Sequence, residues 1–468
     1  MATSAVTHLP ASFYQPFLSQ ISKLRKPSPI RGLYPLENKP GVISLLAGKP
    51  NSAMFPITSL NFTVAPTTAP EYAQSIATGT PLPQGQNKPI EVTGADLQAG
   101  LQYGATAGLP RLLEWLHGLQ EKSHGRSKGE GWRISVGAGS QDLIYKAVNA
   151  LLNPGDTILV ESPVYAGVIP MFQTLKCEQV EVPTDASGIR SQDLRTIFSS
   201  WPSDKPKPKV LYTVPYGCNP TGMTAAEDRR REVIELSREH NFLILEDDPY
   251  FYLYFGDAPR PPSYFHLEKV IPSQDGSPNV GRVLRFDSFS KIVSAGMRMG
   301  FVSGPATLLD AIDLHTGTAN LQSSSLVQSI LLALVESWGY DGFDAHIRSV
   351  SAFYRAKRDV FQAAMQENME GLAEWTAPEA GMFFWFKLLL KPTTGAAADE
   401  DEDEGDSSDL VRTKAYENGV LALPGTVFLP NGRKTAYVRA SFSLLDEDDV
   451  REALKRLREV VKQERGEA

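Results

Sequence analysis

Lys291 closes the run Asp287-Ser-Phe-Ser-Lys, directly after a short buried strand read over 283–286, and Gly296-Met-Arg-Met-Gly-Phe301 follows it. An amine, the hydroxyls of Ser288 and Ser290 and the guanidinium of Arg298 fall within eleven residues. That combination suits a phosphorylated aldehyde: the amine condenses with the carbonyl while the other groups hold the phosphate. Pyridoxal phosphate answers that description and would carry the chemistry, with the protein supplying binding and electronics. Ser-x-Ser-Lys alone is also a common surface string, so other segments have to supply the ring contacts.

In Phe242-Leu-Ile-Leu-Glu-Asp-Asp-Pro-Tyr250, four apolar residues read as a central strand with Asp247 at its carboxyl end, where open α/β sheets bind ligands. A carboxylate there could keep a pyridine nitrogen protonated, and Tyr250 could reach the ring oxygen; an Asp that merely caps a turn would look the same. Upstream, Val210-Leu-Tyr-Thr-Val-Pro-Tyr-Gly-Cys-Asn-Pro-Thr-Gly222 is a strand entering a tight turn. Asn219 precedes a proline, which biases it away from helical geometry and limits where its amide points. Earlier still, Trp132-Arg-Ile-Ser-Val-Gly-Ala-Gly-Ser-Gln141 leads from a strand through a glycine-rich turn into a helix reaching about Leu152. The N–H groups of Ser140 and Gln141 at that helix start form an anion site. Gly137-x-Gly139 is half a dinucleotide fingerprint, but position 142 is Asp where the third glycine would stand.

Together, in this order, these segments resemble the fold-type-I pyridoxal-phosphate aminotransferases, and within them the branch of the 2-aminoadipate/kynurenine and fungal aromatic aminotransferases. The likeness runs from Pro27-Ser-Pro-Ile-Arg31 to Arg439-Ala-Ser-Phe-Ser443. It implies Lys291 as the Schiff-base lysine, Asp247 as the partner of the pyridine nitrogen, and Tyr250 and Asn219 as donors to the ring oxygen. Tyr165, in Glu161-Ser-Pro-Val-Tyr-Ala-Gly, is similar to the aromatic that stacks on the ring. Ser140, Gln141, Ser288, Ser290 and Arg298 would surround the phosphate, and Tyr103 would reach the phosphate of a neighbouring subunit in a homodimer. Arg439 would grip the substrate α-carboxylate, as a planar guanidinium can through two parallel bonds; an exposed strand arginine is the bland alternative. Arg31 either receives a second carboxylate or anchors the amino-terminal arm. Gly48 lies in the substrate-side segment, where Ala47-Gly-Lys-Pro50 replaces the usual Gly-Gly-Leu-Pro; Cys218 is a second departure.

The chain has 468 residues, enough for two domains around a shared cleft. The expected fold is α/β, fold type I, with a mostly parallel seven-stranded sheet covered by helices on both faces and a smaller α+β domain. Strands are expected near 133–137, 157–161, 178–182, 209–214, 242–246, 283–287 and 300–303, with helices over 227–240, from about 325 to 335, and over 447–463. The division expected is an arm over 1–70 packed on the smaller domain, a large domain over 71–324 and a small domain over 325–468. Net charge is −8, and the eight acids between Asp399 and Asp409 account for all of it. That stretch reads as a disordered acidic insertion near 393–409.

No basic footprint for nucleic acid and no apolar run near the ~20 residues of a membrane span is present, and no metal site is expected. The two cysteines, Cys177 and Cys218, fit a reducing compartment. The first 36 residues lack Asp and Glu and carry four basic residues, a weak mitochondrial flavour, yet the matching segment begins at Pro27; cytoplasm is the expected location. The expected activity is ping-pong transfer of the amino group of an aromatic amino acid, kynurenine or 2-aminoadipate to a 2-oxo acid such as 2-oxoglutarate. A decarboxylase or lyase using the same cofactor is the main rival. A cofactor-sensing transcription regulator would need a DNA-binding module ahead of Pro27.

Overall fold

The computed structural model describes residues 8–37, 39–46, 48–67, 69–78, 80–81, 87–273, 276, 280–391 and 405–467. Its strands are β1 (Leu60–Val64), β2 (Lys88–Val92), β3 (Trp132–Gly137), β4 (Thr157–Ser162), β5 (Glu178–Asp185), β6 (Gly188–Ile189) and β7 (Val210–Thr213). They continue with β8 (Leu243–Asp248), β9 (Val283–Ser288), β10 (Gly300–Pro305), β11 (Ala373–Trp375), β12 (Phe383–Leu388), β13 (Leu423–Pro424) and β14 (Tyr437–Ser441). The large sheet has the order β3-β10-β9-β8-β7-β4-β5-β6. All seven expected strands are in it; the two-residue edge strand β6 is the addition. Only β10, antiparallel to β3 and β9, and β6, antiparallel to β5, break the parallel run.

Every residue of β7, β8, β9 and β10 is buried. Successive side chains point to opposite faces, so complete burial means both faces are covered, as a parallel sheet requires. Because β4, β7, β8 and β9 run parallel, their carboxyl ends share one edge. The order switches between β4 and β7, the place where such sheets open a ligand crevice.

A second, antiparallel sheet, β11-β12-β14-β13, carries its own core. Phe384, Phe386 and Val438 pack there with Leu454, Leu457 and Val461 of the helix Glu447–Arg465. That helix is capped by Asp446, whose side chain accepts from Asp449 N–H at 2.9 Å. A long helical stretch, Ser325–Met369, joins the two cores and is interrupted at Gly339 (φ +62°). Leu331, Leu332 and Phe343 belong to the larger core, whereas Phe361, Met365 and Met369 belong to the smaller. The helix expected over 325–335 is therefore its first part. A division at 324/325 would cut ahead of residues that still pack with the larger core.

The amino-terminal segment is placed differently from the expectation. Tyr14 and Phe17 are buried in the larger core, not against the smaller sheet. Tyr14 OH donates to Gly281 O at 2.9 Å, and Ser19 binds the end of the helix Ser140–Leu151 through Ala150 O and Asn149 O. The physical reason is an aromatic wedge that needs an apolar receiver. Gly281 supplies it, since a Cβ there would stand 2.2 Å from the Tyr14 hydroxyl. Residues 392–404, most of the acidic insertion, lie outside the described residues. Gly405–Asp409 are part of the fold: Ser407 Oγ donates to Tyr437 O at 2.6 Å, and Asp406 caps the turn that follows.

Candidate active site

Asp247 sits at the carboxyl end of β8, almost wholly buried. Tyr212 OH, from neighbouring β7, donates to its Oδ2 at 2.6 Å. Its Oδ1 is buried with no hydrogen-bond partner. Burial pushes the carboxyl pKa up to about 7; the Tyr212 bond opposes the rise, and the nearby acids Glu161 and Asp287 add to it. A buried acceptor left open is costly, so this oxygen calls for a donor that no described residue provides.

The strand ends beside it are braced from below. Arg285 of β9 reaches Asp248 Oδ2 at 2.7 Å and Asp287 Oδ1 at 2.9 Å, and Gln120 ties Asp287 to Ser303 of β10. A buried cation holds position through its bonds, and all three guanidinium nitrogens of Arg285 are engaged, although Asp248 Oδ1 is buried without a partner.

An anion cradle forms where β3 turns into the helix Ser140–Leu151. Gly139 has φ +91°, and a Cβ on it would fall 2.6 Å from Arg298 Nη2. A Cβ on Gly300 would stand 2.7 Å from Ser140 N and 2.8 Å from Gly139 C, so only glycine lets β10 approach the turn this closely. Arg298 donates to Ser290 Oγ at 3.2 Å and Ala138 O at 3.1 Å, and Ser290 N–H donates to Ser288 Oγ. These contacts gather Ser140, Ser288, Ser290 and Arg298. The Gln141 side chain instead donates to Gly167 O at 2.8 Å, tying the helix start to the Tyr165 turn. Lys291, half-buried in the same turn as Ser290, has its pKa lowered by burial and then by Arg298. From behind, a His346 ring nitrogen lies 2.6 Å from Ile292 O.

Asn219 and Arg439 close the other side. The turn carrying Asn219 docks on the start of β12: a Cβ on Gly217 would meet Ala380 C at 2.5 Å, and one on Gly222 would meet Phe383 O at 2.7 Å. Arg439, on β14 opposite Trp385 of β12, donates through Nη1 to Asn219 Oδ1 at 2.9 Å. Its guanidinium lies 4.2 Å from the Phe383 ring centroid, and its Nε is buried without a partner. Burial lowers its pKa, while Tyr250 and Tyr165 act in the opposite sense. Tyr250 is buried beside Phe383, with ring centroids 6.3 Å apart, and burial raises its pKa. Tyr165 lies over Gly167, where a Cβ would strike its ring at 2.4 Å. Its phenol is pushed up by burial first and then by Asp247.

Two expected residues, Tyr103 and Gly48, are not brought to this cluster within the chain. Tyr103 is 51 % exposed, and its one described hydrogen bond is from its backbone N–H to Gln102. Gly48 is exposed, with open space where a Cβ would be. Arg31 begins a short 3-10 turn, Arg31–Leu33, and its side chain lies outside the described residues, as does Ala47. Lys49 pairs with Glu37 at 3.3 Å. Conversely, Tyr212, Glu161, Phe383 and His346 were not singled out from sequence. The signal for Tyr212 was available: a phenol in a wholly buried strand needs a polar partner.

An open buried carboxylate oxygen, a half-buried amine of lowered basicity and a glycine-lined anion cradle fit the ring nitrogen, aldehyde and phosphate of pyridoxal phosphate. The sequence matches the aminotransferase class I and II family over residues 79–457. It is 40 % identical over 442 residues to the aminotransferase tdiD of Emericella nidulans, covering 94 % of each chain. It is 37 % identical over 466 residues to the mitochondrial kynurenine/alpha-aminoadipate aminotransferase of Mus musculus, covering 96 % of this chain and 99 % of that one. Among solved structures, aminotransferase Aro8 from Candida albicans superposes with a TM-score of 0.82 at 25 % identity, over 99 % of this chain and all of the other. The chain belongs to the class I and II aminotransferase family. It is a pyridoxal-phosphate-dependent aminotransferase of fold type I.

Proposed function

We propose that the enzyme takes its amino group from an aromatic amino acid, kynurenine or 2-aminoadipate and passes it to a 2-oxo acid, 2-oxoglutarate foremost. The name of the mouse relative supports the kynurenine and aminoadipate range. Bound pyridoxal phosphate supplies an electrophilic carbon for the amino group and a ring that takes up the electron pair left when the Cα proton departs. The residues do the rest. Asp247 Oδ1 accepts from the protonated ring nitrogen and keeps the ring electron-poor. Asn219 and Tyr250 donate to the ring oxygen, and Tyr165 stacks on the ring face. Ser140, Gln141, Ser288, Ser290 and Arg298 hold the phosphate, with Gln141 acting through its backbone N–H.

Arg439 grips the substrate α-carboxylate, aligned by Asn219 and by the Phe383 ring beneath it. Lys291 Nζ would take the substrate Cα proton and deliver it to the cofactor's former aldehyde carbon, on the far side of the nitrogen that links the two. Burial first and then Arg298 lower its basicity, which favours the neutral amine that a base requires. The observation that carries this reading is the open Oδ1 of Asp247. We also propose a homodimer in which Tyr103 serves the partner's phosphate, and Arg31 and Gly48 line the substrate side. The exposure of Tyr103, with Ile43 at 91 % and Leu45 at 99 %, supports a second chain covering this region. A cytoplasmic location is part of the proposal, since Tyr14 and Phe17 of the basic amino-terminal segment are built into the larger core.

The test is to supply single amino acids with 2-oxoglutarate and measure glutamate and the new 2-oxo acid. Stoichiometric formation of both is expected. Carbon dioxide or ammonia released without glutamate would point to the decarboxylase or lyase rival.

A further inference from the structure

Tyr212 is a fully buried phenol in the middle of the sheet, on β7 between β4 and β8. Its single described hydrogen bond is to Asp247 Oδ2. We propose that Tyr212 is a positioning residue for the reaction: by holding Oδ2, it fixes the plane of the Asp247 carboxylate and leaves Oδ1 as the oxygen presented to the cofactor's ring nitrogen. This rests on the reading of Asp247 as the pyridine partner.

The surroundings give the bond its consequence. The titratable groups facing Asp247 are Tyr212 from β7, Glu161 from β4 and Asp287 from β9, with the phenols of Tyr165 and Tyr250 beyond the strand ends. Glu161 is itself satisfied by Thr213 Oγ1 and Val214 N–H, so it offers Asp247 no donor. Arg285 is turned to Asp248, Asp287 and Glu246. The O–H of Tyr212 is therefore the one described protein group that favours the ionised carboxylate from within hydrogen-bond distance. Without it, Oδ2 would lie buried and open, and the carboxyl would retain its proton at the expense of the ring nitrogen.

The experiment uses the full-length holoenzyme reconstituted with pyridoxal phosphate carrying nitrogen-15 in the ring. Tyr212→Phe, Asp247→Asn and Tyr216→Phe are compared with the parent. Tyr216 is also buried, but its hydroxyl donates to Pro261 O, so its loss controls for removing any buried phenol. In Tyr212→Phe the ring nitrogen resonance should move part of the way toward the unprotonated position, with cofactor affinity falling about tenfold or more. Tyr216→Phe should leave both unchanged. A folded Tyr212→Phe protein with parental resonance and affinity, beside an Asp247→Asn protein that shifts, overturns the role of Tyr212 alone. No shift in Asp247→Asn overturns the reading of Asp247, and the role of Tyr212 with it. If Tyr212→Phe does not fold, 3-fluorotyrosine at position 212, a stronger donor of nearly equal size, should move the resonance toward the protonated position; no movement overturns the proposal.

Discussion

Arg439 Nη1 stands 2.9 Å from Asn219 Oδ1, joining residues 220 positions apart across the seam between the two cores. The contact uses one donor of the guanidinium and orients the others. The rings of Phe383 and Phe428, with centroids 4.2 and 5.3 Å from its central carbon, confine the planar group. Replacement by lysine keeps the charge but loses the fork and the stacking. Arg439→Lys should lower kcat/KM by about 100-fold, mostly through KM for the amino acid, with cofactor affinity unchanged. Steady-state kinetics with a fixed 2-oxo acid check this; a normal KM would count against the carboxylate role.

The pH behaviour of Asp247 has a definite sign. In the cofactor-free protein its pKa is pushed up to about 7. The unfolded chain has already released this proton by about pH 5. The group's contribution to stability therefore falls as pH rises toward 7 and levels off above it. Cofactor binding follows the opposite course, because the ring cation needs the ionised form. With half ionisation near 7, the ionised fraction grows from about a tenth at pH 6 to about nine tenths at pH 8. The ratio of parental to Asp247→Asn cofactor affinity should climb several-fold over that range. A flat ratio, measured by titrating the apoproteins, would contradict the assigned environment.

Gly300→Ala tests the anion cradle. The added Cβ meets only backbone: Ser140 N, Asp287 O and Gly139 C, all within 2.8 Å. Backbone cannot rotate away as a side chain can, so the turn has to open. A loss of about 1–3 kcal/mol in stability is expected, with weaker cofactor binding that inorganic phosphate no longer competes against effectively. Thermal melts and phosphate competition separate the two effects.

Tyr103 supplies a test of the proposed dimer. Sedimentation should report two chains, and Tyr103→Phe should loosen the cofactor. Mixing that variant with inactive Lys291→Ala should restore part of the activity, because a mixed dimer pairs an intact lysine with the other chain's intact tyrosine. No gain on mixing after subunit exchange would remove Tyr103 from the partner's site.

The large sheet was legible because its strands are short apolar runs punctuated by turns, as in Leu243-Ile-Leu before Glu246-Asp-Asp. The candidate groups were legible where each closes or follows such a run: Asp247 at the end of β8, Lys291 after β9, Ser140 after β3. What pairs with them was not. Tyr212 announces a buried phenol in need of a partner, but which group it meets shows only when β7 is laid beside β8, and nothing local singles out Arg439 as the partner of Asn219. The helical residues after Gly339 were missed because Arg348, Arg355, Lys357 and Arg358 dilute the apolar stripe. The arm was misplaced because the Phe13-Tyr14 and Phe17 wedge announces burial without naming its receiver.

The central claim is that Lys291 Nζ is the atom that bonds the cofactor. Borohydride reduction of the holoenzyme, followed by proteolysis and peptide mass spectrometry, reads that bond directly. The pyridoxyl group should be found on the peptide containing Lys291, with none recovered in Lys291→Ala. Its recovery on another lysine, or an unlabelled Lys291 in a fully active preparation, would contradict the account.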